Sequence, residues 1–134
     1  MRKIEHVQGW VDHLGAVLID VRLSPNARQA DFRKSNLEER FGRDRYWHIE
    51  ELGNVNYRSE SGPTKLKDEV IGLEALAFNL RRGPVIIMCG CWNVNECHRK
   101  FISDKMAAEW AVEVIHLTKV PPKDEAPEPQ LSLL

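Results

Sequence analysis

The chain has little cysteine, and the count is odd: three in 134 residues. A small odd number argues against a secreted disulfide framework and makes a reducing cytoplasm the expected compartment, with free thiols or metal ligands following from it. A charge of one sign is also lacking. Nineteen Lys and Arg stand against twenty Asp and Glu, so no global field draws the molecule to nucleic acid or to a membrane surface. Apolar runs are far shorter than a membrane span. Met1-Arg2-Lys3 leads into an amphipathic stretch and does not read as a signal peptide. No internal repeat is present. The expectation is one soluble domain, long enough to bury a core without disulfides or metal.

What is present is an alternation of helix-like and strand-like segments. Ile4, Val7, Trp10, Val11 and Leu14 recur at helical spacing, and Gly15 supplies the stop. Residues 16–21 read as a strand buried on both faces, as in parallel sheets. After the Pro25-Asn26-Ala27 break, Ser35 with Glu38 three residues on resembles a capping box for a short helix carrying Leu37 and Phe41. Residues 46–49 read as a brief strand closed by Leu52-Gly53-Asn54. Leu66, Val70, Leu73, Leu76, Ala77 and Leu80 form a helical stripe ended by Arg81-Arg82-Gly83-Pro84. Residues 85–89 are the second core strand, and 90–96 a polar loop. A helix carrying Phe101, Ile102, Met106, Ala107 and Trp110 follows, then a third strand at 112–117.

The predicted fold is therefore α/β in three layers, a mostly parallel, Rossmann-like sheet with helices on both faces. A single domain is expected over residues 1–118. Residues 119–134, with Pro121, Pro122, Pro127 and Pro129, read as a flexible tail whose Leu131, Leu133 and Leu134 are the candidates for docking.

The densest chemical signal is Cys97-His98-Arg99, which follows the second core strand and precedes a helical pattern beginning near Phe101. A strand–loop–helix junction directs backbone N–H groups and the positive end of a helix dipole at whatever lies before it, and biases a thiol there toward thiolate. Ligands of open α/β sheets bind at the carboxyl ends of the strands. Asp20 and Arg22 end one predicted strand, Cys89 another and His116 a third, so all of them can converge on one edge.

Asp20-Val21-Arg22, Pro25, Phe32, Tyr46, Leu52-Gly53-Asn54, Cys89, Cys97-His98-Arg99 and His116, in that order, resemble the domain of unknown function family 488 across residues 5–117. The resemblance implies a small α/β domain and carries no settled activity. It also exposes two departures. Members of that family usually begin with a strand before the first helix. This chain starts almost at the helix, so the usual first strand is expected to be lacking. The family commonly has Ala-Glu after the strand-end Cys, where this chain has Gly90-Cys91, a thiol in place of a carboxylate.

Four chemistries fit these residues. Arg22 and Arg99 suit bidentate recognition of phosphate or carboxylate, with Asp20 orienting them or acting as a base and Tyr46 contributing from the flank. The plain counterpart is an Asp20–Arg22 pair that merely holds the loop. Cys97 could act as a nucleophile with His98 or His116 as acid or base, although neighbours on a helix point apart. Zinc is the alternative for Cys89, Cys91, Cys97 and His98, against a close pair with one intervening residue where two are usual; a redox pairing of two of these thiols is the other, against the transience of cytosolic disulfides. Nucleic acid would use Arg22, Arg28, Arg33, Lys34, Arg40, Arg43 and Arg45, with Tyr46, Trp47, Tyr57 and Trp92 stacking on bases, but Asp31, Glu38, Glu39 and Asp44 interrupt that run.

Asn54 reads as a turn residue with a lesser claim on a ligand, Trp10 and Trp110 as core, and His13 and His48 as without a partner. The sequence thus predicts a protein that recognises and processes a phosphate-bearing ligand, a nucleotide or nucleic acid. Asp20, Cys97 and His98 would be catalytic; Arg22, Arg99, Tyr46, Cys89, Asn54 and His116 would contact the ligand. The reading inclines toward an enzyme and leaves the reaction open, with a non-catalytic binding module as its rival. No cofactor is predicted apart from the zinc alternative. No membrane partner is expected, and a homo-oligomer or a strand-donating partner fits.

Overall fold

The computed structural model describes residues 3–25, 27–56, 63–89, 98–110, 114–116 and 131–133. Among them the chain enters the fold through α1 (Ile4–Leu14), with no strand before β1 (Val17–Asp20). Ile4, Val7, Val11 and Leu14 form the buried stripe of α1, and Gly15, at φ 59°, ends it in the left-handed conformation that a glycine adopts without steric cost. A short 3-10 turn (Ala30–Phe32) leads into α2 (Lys34–Phe41), and β2 (Tyr46–His48) follows. A second 3-10 turn (Glu50–Leu52) precedes α3 (Glu69–Arg82), β3 (Val85–Met88), α4 (His98–Trp110), β4 (Val114–His116) and β5 (Leu131–Leu133).

The five strands form one parallel sheet in the order β2-β1-β3-β5-β4. Leu18 pairs with Tyr46 on one side of β1 and with Ile86 on the other. Side chains alternate across the sheet and so feed two cores. Leu18, Tyr46, Ile86 and Met88 pack with α1 and α2, whereas Ile19, Val21, Val85 and Ile87 pack with α3 and α4. Helices cover both faces, so every residue of β3 is buried, which explains its unbroken apolar run. The fold is the expected three-layer α/β architecture.

Four local expectations change. Leu66 lies ahead of α3 and Val70 is exposed, so the buried stripe of that helix is narrower than its apolar spacing. The capping box does not form: Ser35 lies inside α2, whose N-cap is Arg33 with no side-chain cap bond. The Ala30–Phe32 turn feeds straight into the helix, and Arg33 O already accepts from Asn36 N and Leu37 N. α4 includes His98 and Arg99, three residues ahead of the apolar pattern, because its first inward-facing side chains are polar. Finally, Leu131–Leu133 of the proline-rich tail is not peripheral; as β5 it lies between β3 and β4.

Chain order and sheet order together create a switch point. From β1 the chain passes through α2 to β2 on one side, then through α3 on the opposite face to β3 on the other side. A crevice at the carboxyl ends of β1 and β3 is the usual consequence of that reversal.

Candidate functional site

The polar groups at this carboxyl edge are assembled around the end of β1. Asp20 is fully buried, on the α1/α2 face. Arg22, two residues further along, returns its guanidinium to the carboxylate in a bidentate pair: Nε donates to Oδ1 at 2.8 Å and Nη2 to Oδ2 at 2.7 Å. The Arg22 backbone N–H also donates to Oδ1 at 3.1 Å, and Nη2 donates to the Phe32 carbonyl at 2.6 Å. The Tyr46 hydroxyl donates to Asp20 Oδ2 at 2.7 Å. That bond follows from register, since Tyr46 pairs with Leu18 and shares a sheet face with Asp20.

Two imidazoles fix the adjoining backbone. His98, at the start of α4, donates Nε2–H to the Val21 carbonyl at 2.8 Å. His48, at the end of β2, donates Nε2–H to the Arg22 carbonyl at 2.6 Å. A carbonyl only accepts, so each Nε2 carries the proton. Consecutive carbonyls beyond β1 are therefore held from two directions. His48 does have a partner, contrary to the sequence reading, and its register opposite Asp20 is the signal that would have found it.

Electrostatics match the geometry. Burial alone would lower the Arg22 pKa, but the hydrogen bonds and charge of Asp20 outweigh it and raise the value. Burial, reinforced by the Asp20 charge and its bond, pushes the Tyr46 phenol far above its ordinary range. Burial lowers the His98 pKa, partly opposed by the bond to Val21 O and assisted by the charge of Arg99. His98 is thus a neutral ring at pH 7, and Arg99 beside it is only 2 % exposed.

The remaining predicted residues are distributed unevenly. Cys89 follows β3 and is buried and disulfide-bonded, so it is not a free thiol; a sulfur in that state has no thiolate to offer a metal. Cys91 and Cys97 lie outside the described residues. Asn54 Oδ1 accepts from the backbone N–H groups of Asn56 and Lys65 at 3.0 and 3.1 Å and so closes its own loop. His116 ends β4 at the same carboxyl edge, but three strand steps from β1, about 14 Å sideways. Among the described residues no group of three His, Cys, Asp or Glu side chains is placed to hold a metal ion. No helix among them is long and apolar enough to cross a membrane.

An open groove of about 670 Å³ runs between α2 and β2 and reaches Tyr46 and His48. Lys34 and Arg43 line it with positive charge, Glu38 and Glu39 with negative, and Trp47 supplies an aromatic surface.

Fold and site together define a doubly wound parallel α/β domain with a polar cluster at its switch point. The chain belongs to the family described as domain of unknown function DUF488, whose model matches residues 11–106. That span contains the whole Asp20–Arg22–Tyr46–His48–His98 cluster. No curated protein and no solved structure matches the chain.

Proposed function

We propose that this protein binds a small phosphate-bearing ligand, of nucleotide size, at the carboxyl ends of β1 and β3. The carrying observation is the state of Arg22. Asp20 and the Phe32 carbonyl take hydrogen bonds from Nε and Nη2, Tyr46 stands close to the same guanidinium, and none of the hydrogen bonds between described residues uses Nη1. With 12 % of its side chain exposed, the guanidinium is rigidly held yet reachable, and Nη1 keeps two donors for an anion. A pre-fixed guanidinium loses little conformational freedom on binding, which is what makes such a donor effective.

The same geometry supports a positioning role for Asp20. Both of its oxygens are engaged and none of the residue is exposed, so it steers Arg22 and is badly placed to take a proton from a ligand. An extended nucleic acid is a poorer fit than a nucleotide. Backbone binding calls for a face of one sign, and the neighbouring groove mixes Lys34 and Arg43 with Glu38 and Glu39.

Titration calorimetry with inorganic phosphate, nucleoside monophosphates and nucleoside diphosphates tests the reading. Saturable binding that weakens at least about tenfold in Arg22→Lys is expected, since lysine lacks the planar fork. Unchanged affinity in the folded variant, or no heat from any probe at millimolar concentration, would sink it.

A further inference from the structure

α3 carries two apolar faces where the fold requires one. Leu73, Leu76 and Ala77 face the sheet and are buried. Val70, Ile71 and Phe78 are on the opposite side, 66 %, 56 % and 49 % exposed. Three of the four large exposed hydrophobics among the described residues therefore sit on one helix. Its exposed arc is also ordered in charge. Glu74 stands one turn before Phe78, and Arg81 and Arg82 one turn after it. Trp47 supports the Phe78 ring from β2, with centroids 6.4 Å apart, and the Arg82 guanidinium lies 5.9 Å from its centre.

This pattern reverses about its own centre. Glu74 and Arg82 are each four residues from Phe78, so an identical helix laid antiparallel, with the two-fold axis at Phe78, meets opposite charge on both sides. We propose that a second copy of this chain docks on α3 in this way. Phe78 then packs on Phe78 of the partner subunit, and Glu74 faces Arg81 and Arg82 of the partner subunit, with the reciprocal pairs across the axis; Val70 and Ile71, about 11 to 12 Å along the helix from the axis, lie at the rim of the contact. The patch is thus self-complementary, as an isologous two-fold contact requires. Glu74 and Arg82 span about 12 Å of helix, so the interface is small and the association reversible. The inference is independent of the ligand reading.

Sedimentation velocity of the full chain over about 10 to 500 µM, where small interfaces associate, is the test. A concentration-dependent monomer–dimer equilibrium is expected for the wild type. Phe78→Asp and Glu74→Arg should each weaken it by about tenfold or more. The triple variant Glu74→Arg/Arg81→Glu/Arg82→Glu, which restores opposite charges in the same register, should bring it back to within a few-fold. All the substituted side chains are exposed, and circular dichroism checks that the variants fold. A wild type monomeric throughout, a dimer indifferent to Phe78→Asp or Glu74→Arg, or a triple variant that fails to recover each overturns the proposal.

Discussion

Asp20 with Arg22 and Glu50 with Lys67 are the same chemistry in two regions of one molecule. The first pair is bidentate at 2.8 and 2.7 Å, with the carboxylate fully buried and Tyr46 bonded to it. The second spans 2.9 Å, and both side chains are 47 % exposed. In the open pair the hydrogen bond and charge of Lys67 lower the Glu50 pKa, and Glu50 in turn raises that of Lys67. Water screens such a pair and competes for both partners. Around Asp20 water is largely removed, so each group depends on the others for its hydrogen bonds. The difference teaches where to look for function: the costly, mutually dependent arrangement lies at the switch point, and the inexpensive one lies beside it.

Substitutions sharpen the contrast. Asp20→Asn should have the largest effect, about 3 kcal/mol of lost stability, because it strands a largely buried guanidinium. Denaturant unfolding measures it, and a loss no greater than that of a surface pair would erase the distinction. Tyr46→Phe removes one hydrogen bond to a charged acceptor and should cost about 1.5 kcal/mol by the same measurement.

His98 gives a smaller effect that depends on pH. Its folded pKa lies below the ordinary value of 6.5. Between pH 6.5 and the lowered folded value, the unfolded chain binds a proton that the folded chain does not. Stability should therefore be level above that window and fall as pH drops through it. His98→Gln keeps a donor for the Val21 carbonyl and does not titrate, so its unfolding midpoints between pH 7.5 and 5 should decline less than those of the wild type. Parallel curves would mean that His98 is not the titrating group. The smallest effect belongs to Lys67→Ala, for which no resolvable change in melting temperature is expected; a clear drop would show that exposure misjudges this pair.

Much of the frame is legible in the sequence because it rests on local periodicity. The stripe of α1 and the unbroken apolar runs of β1 and β3 identify themselves, and those strands place Asp20 and Cys89 at one edge. The Asp20–Arg22 pair is local as well, two residues apart in extended chain. The rest depends on register, which no single segment encodes. Tyr46 reaches Asp20, and His48 reaches the Arg22 carbonyl, only because β2 pairs with β1 in one alignment. Ser35 and Glu38 have the right spacing for a cap, yet the helix begins before them, since the Arg33 carbonyl already accepts the first helical bonds. α4 begins three residues ahead of its apolar pattern because His98 and Arg99 are buried polar residues, which an apolar count passes over.

The position of β5 has a consequence for the order in which the molecule can be built. Among the described strands β4 pairs only with β5, and β5 separates it from β3. The β2-β1-β3 part of the sheet, and with it the Asp20–Arg22–Tyr46 cluster, is built from residues up to 88 alone. Among the described residues β4 joins the sheet through residues 131–133 alone. His98 then completes the polar site from α4, and the far side of the sheet is completed from the opposite end of the described chain.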